Sequence, residues 1–294
     1  EDGSGVAVLK LASTRDHPTV HAGVFVNGSG QSFIPFGGVH SLLGALPAIL
    51  HPKPEHILVI GLGSGDTVFS AAGRAETAEI ICAEIISAQI KTLHEHVAAV
   101  DYPPLRTCLT DPRIHHVSHD GRHFLLNTQR RFDIIEADAL RPASAHAGTL
   151  YSIEYFRLLR SRLKPGGFAV TWSPTQRVSN TFMQVFPYVV THEAILIGSN
   201  EPFQIDPAAI QQRTRQPDIH AYYRSAGIDI TEMAGAFVTR EIAASLIGPE
   251  HDRSQLTDVN TDIFPLDEVG MAALWQPAEK KTTPSPSSSA GSVH

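Results

Sequence analysis

The 294-residue chain contains only two cysteines, Cys82 and Cys108, too few for a disulfide framework. Cys82 lies in the apolar run EIICAEI and reads as a small buried hydrophobe, so a reducing, cytoplasmic setting is expected. Long apolar runs are also missing. Nothing approaches the roughly 18 residues that a bilayer-crossing helix needs, and no secretory leader pattern opens the chain. The opening EDGSGVAV lacks a Met and reads as a fragment or trimmed product. Positive charge is scarce: 23 Lys and Arg stand against 30 Asp and Glu, a net charge of −7. That balance argues against a nucleic-acid binder with a basic face and is compatible with a small cationic substrate. Metal-binding spacings are lacking among the sixteen histidines. His94 and His96 diverge on a helix, and His115 and His116 face opposite sides of a strand. No Cys-x-x-Cys or His-Glu-x-x-His accompanies them, so no metal is expected.

What is present is an ordinary globular balance, 42% apolar and 18% charged. Residues 1–36 alternate apolar and polar positions around Asn-Gly, which predicts a small antiparallel β-hairpin region. VHSLLGALPAIL at 39–50 reads as a helix despite Pro47. Strand candidates at 57–61, 78–84, 113–118, 132–138 and 167–173 then alternate with helix candidates at 65–74, 86–99, 121–128 and 150–163. This rhythm predicts an α/β fold, Rossmann-like, with a doubly wound, mainly parallel sheet over residues 37–275. LKPGG at 163–167 is expected to end the last of those helices. Residues beyond 176 carry mixed signals with no evident order, and the Pro/Ser-rich 276–294 reads as a disordered tail.

Open α/β sheets bind ligands at the carboxyl ends of their strands. The first strand delivers Gly61, Gly63 and Gly65 around Ser64, where absent side chains permit a tight turn and close approach to a ligand. A bare strand-to-helix turn would use the same glycines. The second ends in Glu84, 23 residues after Gly61, near the spacing of an acid that accepts from ribose hydroxyls. A carboxylate serving only the helix dipole is the alternative. The third places Asp120 and Gly121 at the lip, where Asp120 can meet an exocyclic amine, cap the next helix, or do both. The fourth ends in Asp138, ahead of a loop containing Tyr151, while Asp133 at its start reads as structural. Trp172 ends the fifth and lines a substrate pocket or belongs to the core. The third glycine arrives one residue too early for G-x-G-x-x-G. Adenosine plus a reacting centre therefore suits these acids better than a dinucleotide, which favours S-adenosylmethionine or a derivative. GLGSG is not the G-x-S-x-G of a hydrolase elbow.

The series VFVNGSGQ, LPAILHPKPEHILVIGLGSGDT, DPRIHHVSHDGRHFL, FDIIEADA, LYSIEYFRLLRSRLKPGG and VNTDIFPLDEV resembles the spermidine synthase (polyamine aminopropyltransferase) family. The likeness is to the bacterial spermidine-synthase-like branch that often carries a membrane domain ahead of this one. It implies a class I methyltransferase-like fold and a nucleotide site of Gln31, Gly61, Gly63, Ser64, Gly65, Glu84, Asp120 and Gly121. It casts Asp138 as the carboxylate that handles the attacking amine, with His40, Arg141, Tyr151 and Trp172 beside the acceptor. Decarboxylated S-adenosylmethionine or S-adenosylmethionine is the implied co-substrate, a small amine the acceptor, and a homodimer the assembly. A methyltransferase, or an adenosyl-ligand sensor attached to a membrane partner, are the alternative readings. Three departures bear on the choice. Ser64 stands where the family has an Asp, Val39-His40-Ser41 replaces Tyr-His-Glu, and Asp138-Ala-Leu-Arg141 replaces Asp-Ser-Ser-Asp. The last exchanges a carboxylate for a cation where the far end of a polyamine would lie, and two like charges about 4 Å apart repel by roughly 4 kcal/mol at an effective dielectric of 20. Putrescine is therefore expected to be a poor acceptor unless Arg141 turns outward.

Overall fold

A computed structural model describes residues 1–11, 21–137, 141, 142, 144, 147–239 and 245–270. The Pro/Ser-rich tail and Asp138 lie outside the described residues. Near the N-terminus, β1 (Ala7–Leu11), β2 (Ala22–Val26) and β3 (Ser29–Ile34) form a three-stranded sheet in that order. Both of its pairings are antiparallel. Asn27 and Gly28, with φ of 48° and 80°, join β2 to β3. Positive φ at both central residues is the two-residue hairpin turn that Asn-Gly favours.

α1 (Val39–Leu50) follows, then β4 (His56–Ile60), α2 (Asp66–Ala71), β5 (Glu79–Glu84) and α3 (Ser87–Ala99). Next come α4 (Pro103–Thr110), β6 (Ile114–Ser118), α5 (Gly121–Asn127), β7 (Phe132–Ala137), α6 (Ile153–Ser161), β8 (Leu163–Trp172) and α7 (Gln176–Val185). β9 (Tyr188–His192), β10 (Ile195–Ser199) and β11 (Leu246–Ile247) complete an eight-stranded sheet of order β11-β9-β10-β8-β7-β4-β5-β6. The pairings of β4 with β5 and β7, of β5 with β6, and of β7 with β8 are all parallel. β10 runs antiparallel to both β8 and β9. The chain leaves β4 through β5 and β6, then returns to β7 on the other side of β4. That reversal opens a crevice at the strands' carboxyl ends.

Alternation along β4 divides the core between two faces. Ile57 and Val59 pack with α1 and Ile80, whereas Leu58 and Ile60 pack with Phe156 and Phe182. Both faces are covered, so parallel strands read as unbroken apolar runs in the sequence. α1 meets α2 almost backbone to backbone: a Cβ on Gly44 would lie 2.3 Å from the Thr67 carbonyl oxygen and 2.8 Å from the Ala71 nitrogen. Asp66 reinforces this junction. Its buried carboxylate accepts from Gly37 N (2.8 Å), Ser41 Oγ (2.7 Å) and Ser70 Oγ (3.0 Å), and burial pushes its pKa up.

Two local expectations need correction. α6 begins at Ile153 rather than 150, because Ser152 caps it by accepting from Tyr155 N. LKPGG does not close the helix; it opens β8 as an irregular strand. Phe132 pairs with Leu163, but Ile134 pairs with Phe168, so extra residues bulge out around Pro165, which has no N–H to give. No helix among the described residues is long and apolar enough to cross a membrane.

Gly44→Ala tests the α1–α2 contact. Alanine improves helix propensity by about 1 kcal/mol, but overpacking against rigid backbone costs typically about 1–3 kcal/mol or more. The variant should therefore unfold at lower denaturant with an unchanged m-value; an equal or higher midpoint would contradict the packing.

Candidate active site

β4 ends at Ile60, and Gly61, Gly63 and Gly65, with φ of 102°, 52° and 91°, turn the chain into α2. Residues with a Cβ rarely adopt such angles. Gly61 N donates to Ala83 O (2.9 Å), and Gln89 Nε2 donates to Gly63 O (2.6 Å), which pins the loop on both sides. The carboxylate of Glu84, at the end of β5, is buried. One oxygen accepts from Leu62 N (2.8 Å) and the other from Ile86 N (2.7 Å). Burial raises its pKa, and the backbone donors offset part of the rise. Asp120 caps α5 by accepting from His123 N through Oδ1 (2.7 Å), and its Oδ2 has no hydrogen bond among the described residues.

These groups border a cavity of about 540 Å³ between the carboxyl ends of the strands and the N-terminal sheet. Gln31, His40, Gly61, Gly63, Glu84, Asp120, Gly121, Arg141 and Trp172 all line it. Ser64, Gly65 and Tyr151 do not. Ser64 is turned into the protein, 1% exposed. Gly65 backs onto Cys108, whose Sγ would lie 3.0 Å from an added Cβ. Tyr151, expected beside the acceptor, is fully buried in the core with Tyr155 and Phe156 because its ring follows the short 3₁₀ turn Gly148–Leu150 inward. Asp138 lies outside the described residues; Ala137 before it ends β7, paired with Ile60.

Several wall residues carry no motif that singles them out. Ser32 on β3 presents a buried hydroxyl with no hydrogen-bond partner among the described residues, above Gly63. Ser4 lines the cavity through an N-terminal turn clasped to α3: Ser87 N donates to Ser4 Oγ (2.9 Å), and Ser87 Oγ donates to Asp2 Oδ2 (2.6 Å). Those hydroxyls hold the Asp2 carboxyl down at about 2. Arg122 donates to Thr149 O (2.6 Å) and pairs with Asp262, which also accepts from Ser152 Oγ (2.5 Å). Asp262 lies in the VNTDIFPLDEV segment, which carried part of the family resemblance. At the amino-terminal ends of the central strands β4 and β7, Glu55, His56 and Asp133 come close enough to hold an ion, but Lys164 Nζ already sits 2.8 Å from Asp133 Oδ2 and 2.9 Å from His56 Nδ1.

The Spermine/spermidine synthase domain matches residues 37–191, from just before α1 into β9. The chain belongs to the spermine/spermidine synthase family. It is therefore a transferase. A polyamine aminopropyltransferase of Leptospira biflexa is 27% identical over 227 residues, covering 69% of this chain and 77% of that protein. One from Thermotoga maritima is 28% identical over 129 residues, covering 44% of this chain and 42% of the relative. A solved spermidine synthase in complex with the transition state analogue AdoDATO aligns with a TM-score of 0.57 at 17% identity, covering 78% of this chain and 85% of that one. The Thermotoga maritima spermidine synthase aligns at 0.55 and 19% identity, covering 78% and 84%. Within the family match fall the cavity residues from Val39 to Trp172, whereas Ser4, Gln31 and Ser32 precede it.

The raised pKa of Glu84 makes a signed prediction. The folded chain holds this proton more tightly than the unfolded one, so its contribution to stability is greatest at low pH. It declines as pH rises from the ordinary glutamate value, about 4.3, through the folded value. Glu84→Gln does not titrate there. Its melting temperature should gain on that of the parent as pH is raised from about 4 toward neutrality; a constant difference would refute the assignment.

Proposed function

We propose that this chain transfers an aminopropyl group from decarboxylated S-adenosylmethionine to a small amine, with Asp138 receiving the amine's proton. The observation that carries this reading is the convergence of Gly61, Gly63, Glu84 and Asp120 on one cavity at the sheet's reversal point, in a member of this family. The named activity of the relatives and the fold shared with spermidine synthases support it.

The residues suit an adenosyl donor. A carboxylate has about four lone-pair sites, so beyond the N–H groups of Leu62 and Ile86 Glu84 keeps acceptor capacity for ribose hydroxyls. Asp120 offers Oδ2 to the adenine amine, and Ser32 offers its unpartnered hydroxyl over the glycine loop. A cavity of about 540 Å³ accommodates a nucleoside and a short amine together. The chemistry is a displacement. The amine nitrogen's lone pair forms a bond to the methylene carbon beside the sulfonium, the carbon–sulfur bond breaks, and its electron pair stays on sulfur as methylthioadenosine. The sulfonium is its own leaving group, so the step calls for no metal. The amine must attack unprotonated. With a pKa near 10 it is almost wholly protonated at neutral pH, which is why a carboxylate that accepts its proton helps. Holding nitrogen and carbon in line supplies much of the remaining acceleration.

Incubation with decarboxylated S-adenosylmethionine and a panel of amines should release methylthioadenosine in step with the aminopropylated amine. Release of S-adenosylhomocysteine from S-adenosylmethionine would make it a methyltransferase instead, and tight nucleoside binding without either product would make it a sensor. Glu84→Ala should weaken methylthioadenosine binding at least tenfold, about 1.4 kcal/mol, by calorimetry. Ser32→Ala should weaken donor binding without lowering the melting temperature, because the hydroxyl it removes satisfies no partner among the described residues.

A further inference from the structure

The strand order divides the cavity into two chemically different halves. Its described carboxylates, Glu84 and Asp120, follow β5 and β6, on one side of β4. The opposite half, beyond β4 toward β7 and β8, is lined by Arg141, Thr149, Leu150 and Trp172, with His40 from α1. No carboxylate is among the described residues there. The two guanidiniums on the wall are not equivalent. Arg122 is compensated by Asp262 and by the Thr149 carbonyl. Arg141 is exposed, and its side chain makes no hydrogen bond or ion pair with any described residue; only its backbone carbonyl is engaged, accepting from Ser144 N (2.7 Å). Among the described residues, the second half of the cavity thus carries one cation with no side-chain partner, beside the apolar surfaces of Leu150 and Trp172.

From this layout we propose that Arg141 selects an acceptor whose reacting amine is joined by a short methylene chain to a carboxylate rather than to a second ammonium. The inference takes the word acceptor from the aminopropyl-transfer reading, while its charge preference stands on the cavity alone. A guanidinium presents a planar fork of N–H donors that matches a carboxylate with two parallel hydrogen bonds. Against an ammonium it offers only like charge. Leu150 and Trp172 suit the methylenes between. The transfer step is unchanged: nitrogen gains the propyl carbon, sulfur keeps the electron pair, and the carboxylate at the far end takes no part. Because Arg141 is exposed, solvent moderates the effect to a preference rather than an absolute block.

Putrescine and γ-aminobutyrate form a matched pair, nearly equal in length and differing in the charge of one end. Their affinities are measured by calorimetry on the protein saturated with methylthioadenosine. γ-Aminobutyrate should bind at least tenfold more tightly, about 1.4 kcal/mol. Arg141→Gln should erase the preference and Arg141→Asp reverse it, both variants melting with the parent because no side-chain bond to a described residue is lost. Putrescine binding equally or more tightly to the parent, or a ratio unmoved by Arg141→Asp, overturns the proposal. Methylthioadenosine release from decarboxylated S-adenosylmethionine is scored separately. Its absence with both amines removes the aminopropyl reading, whereas the binding ratio still decides the role of Arg141.

Discussion

The carboxylate of Glu84, buried between the N–H of Leu62 and the N–H of Ile86, ties the loop leaving β4 to the first turn of α3. Burying a charge costs several kcal/mol unless hydrogen bonds compensate it, and here backbone donors offset part of that cost. The same two bonds fix the glycine loop in a conformation that only glycines enter readily, and Gln89 holds the loop's far side through Gly63 O. The floor of the cavity is therefore built before any ligand arrives. This preorganisation lowers the cost of ordering a ligand on it.

Around that floor the walls come from distant parts of the chain. The N-terminal turn reaches α3 through Asp2, Ser4 and Ser87, and β3 lays Ser32 over Gly63. From the other end, Asp262 crosses 140 residues of sequence to hold Arg122 beside Thr149. Asp66 secures a third side by joining Gly37, Ser41 and Ser70. The N-terminal turn, Asp262 and Asp66 each tie separate elements together through carboxylate or hydroxyl hydrogen bonds. The hydrophobic effect brings the elements together without direction, and these polar contacts set where each wall residue stands.

The division of charge follows from topology. Because the chain reverses its direction of travel across the sheet at β4, Glu84 and Asp120 after β5 and β6 gather on one side and the described loop residues Arg141, Thr149 and Leu150 after β7 on the other. A doubly wound sheet can thus hold a cationic, hydroxyl-bearing donor against carboxylates while the facing half answers to a different chemistry.

Local patterns determined much of this molecule. Asn27-Gly28 specifies its turn because two residues suffice to set the twist of a hairpin. β4, β5 and β7 are legible because strands buried on both faces need continuous apolar runs, and Glu84 and Asp120 are legible because the strand ends place them. Only the tertiary structure decided the rest. Tyr151 and Ser64 turn inward, although nothing in their immediate neighbours says which way a side chain at a lip will point. LKPGG joins β8 rather than closing α6, because backbone approach to Phe132 and Asp133 overrides the local turn signal. Ser32, Arg122 and the N-terminal turn reach the cavity through contacts between segments tens to more than a hundred residues apart. Sequence encodes the periods that make helices and strands, but the direction in which a side chain faces a cavity is settled by which distant surface packs beneath it.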